Sequence, residues 1–200
     1  MSKIKRKGDN FVRDALILCG ITVVAGLLLA LAYNITKKPI EEAKNKTEQL
    51  SYQAVLPEGK TFEEEEALNE KLEAFTPEGS EIERVRVAKD AKGEEAGYVF
   101  LVTSKEGYGG SIQFSMGVKM DGTIGGIEII DMSETAGLGA KCVEDEFKSQ
   151  YQGKSGEVSL VKGEASNENE VSAISGATIT SKAITNAVNQ VLKFVAGLEG

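Results

Sequence analysis

Between Asp14 and Lys37 the chain carries no charged residue, and the 22 residues from Ala15 to Thr36 read ALILCGITVVAGLLLALAYNIT. As a helix rising about 1.5 Å per residue this run spans roughly 33 Å, the thickness of a bilayer's hydrocarbon core. It has no polar stripe, which a helix resting on a soluble core would show. A cleaved signal peptide also begins basic and turns apolar. This run is longer than a signal core, however, and the YNITKKPIEEAKNK that follows offers no small-residue cleavage site. The sequence therefore predicts one transmembrane helix over residues 15–36 and a single folded domain after it.

Charge orients that arrangement. Residues 1–14 hold Lys3, Lys5, Arg6, Lys7 and Arg13 against Asp9 and Asp14, a balance of +3 that leaves −11 on the rest of a chain whose total is −8. By the positive-inside rule the tail at 1–14 stays in the cytoplasm and the acidic domain lies on the other side of the cell membrane. The same acidic balance, with 6% aromatic residues and no Trp, excludes a nucleic-acid partner. There is no His, which removes Ser-His-Asp and Cys-His catalysis together. The two cysteines, Cys19 and Cys142, are too far apart for a CxxC site and too few for a disulfide framework. Nor is a metal site expected: the acidic run Glu63–Glu66 lacks the glycine and oxygen-rich loop of a calcium site. Any redox chemistry must come from a borrowed cofactor.

Beyond the span, residues 37–80 read as a helical stalk and linker. Pro39 to Gln53 is predicted as a helix with Pro39 in its first turn, and Thr61 as the N-cap of a second helix ending at Phe75. From Ile82 the apolar period changes to alternation, predicting strands at Ile82–Arg86, Gly97–Thr103, Ile112–Val118 and Ile124–Ile130. Asp121-Gly122 between the last two is a tight-hairpin signature, so those strands should pair antiparallel. A short helix is predicted over Val143–Tyr151, a strand over Glu157–Val161, a polar loop over Lys162–Glu170 and a closing helix over Thr180–Val195. Strands bunched in this way predict an α+β domain over residues 81–200, with a mostly antiparallel sheet and flanking helices.

Three loops hold the chemistry-bearing residues. SAISGATITS, residues 172–181, is a hydroxyl-rich turn running into the closing helix. Its composition suits a plain N-cap, and equally a site where free N–H groups and the helix dipole hold a phosphate. A hydroxyl here has no neighbouring base, which makes it a poor nucleophile but a suitable attachment point for a group that another protein installs. SETAGLGA, residues 133–140, sets Gly137 and Gly139 around Leu138, so backbone could approach a planar ligand; a plain glycine loop reads the same. In GYGG, residues 107–110, Tyr108 is either core or pocket lining.

Taken together, GYGG at 107–110, ETAGLG at 134–139 and SGATITS at 175–181, behind an N-terminal span, resemble the FMN-binding domain of the G subunit of Rnf electron-transport complexes. The C subunit of sodium-translocating NADH:quinone reductase shares that domain. The resemblance runs from about Gly97 to Leu192. It implies that a flavin transferase moves FMN from FAD onto Thr178, leaving a covalent phosphoester. Ser175, Gly176, Ala177, Thr180 and Ser181 would surround the phosphate. Glu134, Thr135, Gly137, Leu138, Gly139 and Tyr108 would lie near the ring. The implied function is that of an electron-carrying subunit, with no complete catalytic activity of its own, in a membrane complex that couples ferredoxin oxidation and NAD reduction to sodium or proton export. Its partners would be the other membrane subunits and the transferase. A quinone-reductase subunit, or an extracellular assembly module without flavin, are the alternatives. The chain departs from the family pattern at Ser133, often His, at Ala136, usually Pro, and at Ser172, commonly Asp. The last bears on transferase recognition.

If residues 15–36 anchor the chain, it will sediment with membranes and resist alkaline carbonate extraction. A version beginning at Lys37 will move to the soluble fraction.

Overall fold

The structure, a computed structural model, describes residues 8–198, with side chains from Phe11 onward; part of the basic tail expected at 1–14 therefore lies outside the described residues. By its contacts the chain divides into residues 1–46 and residues 47–200. The first is helical throughout its described part. Helix α1, Gly8–Val55, is continuous, contains a stretch long and apolar enough to cross a membrane, and buries none of that stretch. Pro39 sits inside this helix rather than in the first turn of a new one. Its ring removes the N–H that would have bonded one turn back, a loss that the helix on either side absorbs.

In the second unit a five-stranded antiparallel meander runs in chain order: β1 (Thr61–Glu63), β2 (Ser80–Lys89), β3 (Glu95–Ser104), β4 (Ile112–Lys119) and β5 (Ile124–Met132). The expected hairpin is present between β4 and β5, where Asp121 Oδ1 accepts both the Thr123 N–H (2.9 Å) and its hydroxyl (2.6 Å). Residues 61–75 differ from expectation. They form β1 and then a shorter helix α2, Glu66–Ala74, because Thr61–Glu63 pairs with Val87–Lys89 at the sheet edge and Phe62 packs beside Tyr52. Thr61 is thus a strand residue, not an N-cap. In β2 a bulge between Ile82 and Arg84 changes which residues share a face, so Ile82, Val85 and Val87 point into the core while Arg84 and Arg86 point away.

After β5 the predicted helix over 143–151 is broken into a 3-10 turn (Gly139–Val143), one α-turn α3 (Asp145–Lys148) and a second 3-10 turn (Ser149–Tyr151). Phe147 and Tyr151 are buried edge-on to one another, and the Tyr151 hydroxyl lies 2.8 Å from Thr185 Oγ1. Burial pushes that phenol above its ordinary pKa. Then β6, Ser159–Val161, pairs in parallel with β7, Glu170–Ser172, in a small separate sheet. The loop joining them closes on the Glu170 carboxylate, which accepts the Ser166 and Asn167 N–H groups and is held down at about 2.

The closing helix α4, Thr178–Ala196, covers one face of the meander. Ile184, Val188, Val191, Leu192 and Val195, expected on one side, are all buried. They meet Phe100, Val102, Phe114 and Met116 of the sheet, and Phe194 stands edge-on to both Phe100 and Phe75. Each such aliphatic side chain contributes roughly 1.5–3 kcal/mol on burial. The other face of the sheet is covered where α1 ends. Tyr52, Val55 and Leu56 form a second cluster with Ala88 and Val99. Glu48, 9% exposed, accepts hydrogen bonds there from the Tyr52 hydroxyl (2.7 Å) and Arg84 Nη1 (2.7 and 2.9 Å). Burial and that carboxylate together raise the Tyr52 phenol's pKa. This contact needs bare backbone on the strands: a Cβ at either Gly117 or Gly125 would lie 2.5 Å from the Val55 carbonyl oxygen.

Gly117→Ala should accordingly lower stability by about 1–3 kcal/mol through overpacking. The check is a urea midpoint beside that of Gly126→Ala, whose Cβ would meet nothing closer than 3.5 Å.

Candidate functional site

The N-terminus of α4 opens into a cleft of about 490 Å³, inside the range of small-molecule sites. Three segments distant in sequence line it: Tyr108 from the β3–β4 loop; Glu134, Thr135, Leu138 and Gly139 from the segment leaving β5; and Gly176 to Thr180 from the turn into α4. These are the three loops that the sequence marks one by one. Folding joins them because β3, β4 and β5 are neighbours in the meander and α4 lies across that sheet.

The helix begins without a side-chain cap. Ala177 is the N-cap, at φ −133° and ψ 45°, and none of the nearby Ser or Thr hydroxyls caps the first turn, contrary to the plain N-cap reading. The first-turn N–H groups of Thr178, Ile179 and Thr180 have no carbonyl one turn back to bond. Gly176 makes the preceding turn at φ +76°, a left-handed conformation in which a side chain is strained. Among the described residues the Thr178 hydroxyl has no hydrogen-bond partner, and it stands half-buried at the start of the helix.

The two hydroxyls that follow it in the helix are engaged. Thr180 is almost fully buried and donates to Glu134 Oε2 at 2.8 Å. Ser181 is fully buried; its Oγ donates to the Ala177 carbonyl (3.0 Å) and accepts the Ile174 N–H (2.9 Å), so it braces the turn from behind. Ser175 is exposed and faces a second, smaller cleft with Lys141 and Gln150. The cleft around Thr178 thus gathers every expected residue except Ser175, Ser181 and Gly137. Of the positions where the chain departs from the family pattern, Ser172 lies in β7, its N–H on Gln150 Oε1 at 2.7 Å, and Ala136 and Ser133 are exposed.

Two features carry no clear signal in the sequence. Ile179 is 54% exposed at the mouth of the cleft, beside Leu138 at 44% and Tyr108 at 71%; from its place at the helix start it reads only as a core or cap neighbour. The second is the arrangement around Glu134. Besides the Thr180 hydroxyl, its carboxylate accepts the Gly109 N–H at 3.1 Å. Gly139 permits this, since a Cβ there would collide with both Glu134 Oε2 and Thr180 Oγ1. Beneath the site Cys142 is fully buried, as a packing residue, and its thiol is pushed up to about 11 by burial and then by the charge of Glu134.

The FMN-binding domain family matches residues 107–193, which contain all three loops. Over 92% of this chain and 90% of its own length, the G subunit of the Na(+)-translocating ferredoxin:NAD(+) oxidoreductase complex of Acetobacterium woodii is 39% identical. The G subunit of the ion-translocating oxidoreductase complex of Methanosarcina acetivorans is 31% identical over 90% of this chain and 92% of that one. The chain belongs to the family of Rnf-complex G subunits. Its fold is also that of Shewanella oneidensis NqrC, a crystal structure matched at a TM-score of 0.50 and 23% identity over 58% of this chain and 60% of that one. Membership in the Rnf G-subunit family means that the protein is one component of an ion-translocating oxidoreductase, and the cleft lies within its FMN-binding domain.

Cys142 supplies a test of the packing under the site. In a Cys19→Ser chain the remaining thiol should stay unreactive toward a disulfide reagent at pH 8 until denaturant is added. Its folded pKa lies above the ordinary 9.0, so between pH 9.0 and about 11 the unfolded chain binds fewer protons and stability falls as pH rises. Urea midpoints across that window should decline less in Cys142→Ala.

Proposed function

We propose that the chain is the electron-carrying subunit of an Rnf-type complex, with FMN held covalently through a phosphoester on Thr178 and the domain presented outside the cytoplasm on the α1 anchor. The observation that supports it best is the pairing of one unbonded hydroxyl, that of Thr178, with an uncapped helix N-terminus at the mouth of a cleft. A phosphate is the group such a place suits. Free N–H groups and the positive end of the helix dipole favour an anion, and the chain has no His to favour hydrolysis instead.

The residues present fit the cofactor. A cleft of about 490 Å³ with Tyr108, Leu138 and Ile179 at its apolar rim suits a planar ring. During maturation the Thr178 Oγ1 would bond to the FMN phosphorus of FAD as the pyrophosphate bond breaks and AMP leaves, the hydroxyl proton passing to a base of the transferase. Thr180 and Ser181, whose hydroxyls are engaged, are thereby unavailable for the same transfer. In the mature subunit the first-turn N–H groups would hold the phosphodiester charge, and Leu138 and Ile179 would flank the ring. FMN supplies the electron acceptance and donation when bound. Covalent attachment suits an extracytoplasmic domain, since a dissociating flavin would be lost to the medium. The relatives' names give ferredoxin and NAD as the redox partners and sodium or protons as the coupled ion, and the same partners are proposed here.

Coexpressed with a flavin transferase, the wild-type chain should fluoresce as a flavoprotein on a denaturing gel and carry FMN on the peptide containing Thr178. Thr178→Ala should lose both while stability changes by less than about 0.5 kcal/mol, because Ala is a good helix former and no hydrogen bond is removed. Fluorescence that persists in Thr178→Ala overturns the attachment site.

A further inference from the structure

Glu134 is the sole carboxylate lining the cleft among the described residues. Family resemblance places it near the ring, but its two oxygens are already engaged. One accepts the Gly109 N–H at 3.1 Å and the other the Thr180 hydroxyl at 2.8 Å. These donors lie 25 and 46 positions away, in the two other segments that line the cleft. Glu134 therefore binds all three walls at one point. The space around it is shaped for this purpose: a Cβ at Gly107 would lie 2.8 Å from Glu134 Oε1, and one at Gly139 would strike Oε2.

We propose that Glu134 is a positioning residue, a carboxylate latch that holds the Tyr108 loop and the first turn of α4 in fixed register across the cleft. This rests on the flavin-site reading above and assigns the residue a role in the protein's own geometry rather than in contact with cofactor. Chain connectivity alone would let the Tyr108 loop move on the β3–β4 hairpin and the 133–139 segment move on β5. The two bonds remove that freedom on both sides of Leu138. The latch also places one negative charge beside the helix start, where the dipole favours it. Side-chain length decides the outcome. Glu spans both donors, Asp is one methylene short, and Gln keeps the span, its oxygen accepting from Gly109 and its amide donating to Thr180 Oγ1.

The experiment uses the full chain in two forms. In the flavin-free Thr178→Ala background, amide hydrogen exchange at Gly109 should rise about tenfold with Glu134→Asp, the factor a lost charge-assisted hydrogen bond corresponds to. Glu134→Gln should restore most of the protection. Thr180→Val, which removes one arm and keeps the side-chain shape, should also raise exchange at Gly109, and it carries the test if Glu134→Asp does not fold. In the flavinylated chain, Glu134→Asp should lower flavin fluorescence anisotropy, whereas Glu134→Gln should leave it unchanged and move the flavin midpoint potential upward, since a negative charge has been removed. Unchanged Gly109 exchange in both Glu134→Asp and Thr180→Val overturns the latch, as does Glu134→Gln behaving like Glu134→Asp. A wild-type chain that carries no flavin counts against the functional reading alone, because the exchange measurement decides the latch without it.

Discussion

The contact between the apolar face of α4 and the inner face of the meander positions everything else. Ile184, Val188 and Val191 are fully buried against a sheet surface built from Phe100, Phe114 and Met116. At roughly 1.5–3 kcal/mol per buried side chain, this contact is among the larger contributions to the domain's stability. It also fixes where the helix starts. With the helix body set on the sheet, its first turn falls beside the segment that leaves β5, and Thr178 comes to the mouth of the cleft instead of pointing into solvent elsewhere. The cleft is a consequence of a packing geometry determined many residues away.

The sheet is covered on both faces by different means. On the inner face side chains interdigitate, and on the outer face the end of α1 lies against backbone at Gly117 and Gly125. Around that second contact sits the Glu48, Arg84 and Tyr52 group, a buried carboxylate with its partners supplied. Its burial is tolerable only because those hydrogen bonds are made. Residues 47–56 are therefore part of the folded domain and not a passive tether, although their sequence reads as part of a helical stalk and linker.

What is legible in the sequence is what depends on periodicity. The closing helix, strands β3 to β5 and the Asp121 hairpin follow from spacing, because one buried face imposes a regular apolar repeat. What is not legible depends on interruptions. The bulge in β2 exchanges the faces of Arg84 and Arg86 with those of Val85 and Val87, and a pattern count has no signal for an inserted residue. Strand β1 is three residues long and exists by pairing with β2, so Thr61 reads as a cap. The three loops of the site can each be marked by glycine and hydroxyl content, but spacing says nothing of their meeting, which only the family resemblance implies. The family pattern marks Glu134 as a site residue, but nothing in the chain order reveals its two donors, which lie 25 and 46 positions away.

The start of α4 shows a local preference overruled. Five Ser and Thr residues between 172 and 181 offer the hydroxyls that ordinarily cap a helix, yet the N-cap is Ala177. An Ala in place of a hydroxyl cap costs about 1 kcal/mol. A Ser at that position would return the missing hydrogen bond, but it would consume an N–H group of the first turn and place an oxygen where, on the proposed reading, the phosphodiester lies. Thr180 and Ser181 are turned away from the same groups by other partners, Glu134 and the Ala177 carbonyl. The uncapped turn is thus kept open from three sides at a cost in stability. A helix start selected for stability alone would have closed it, and one selected to hold an anion would be left as it is here.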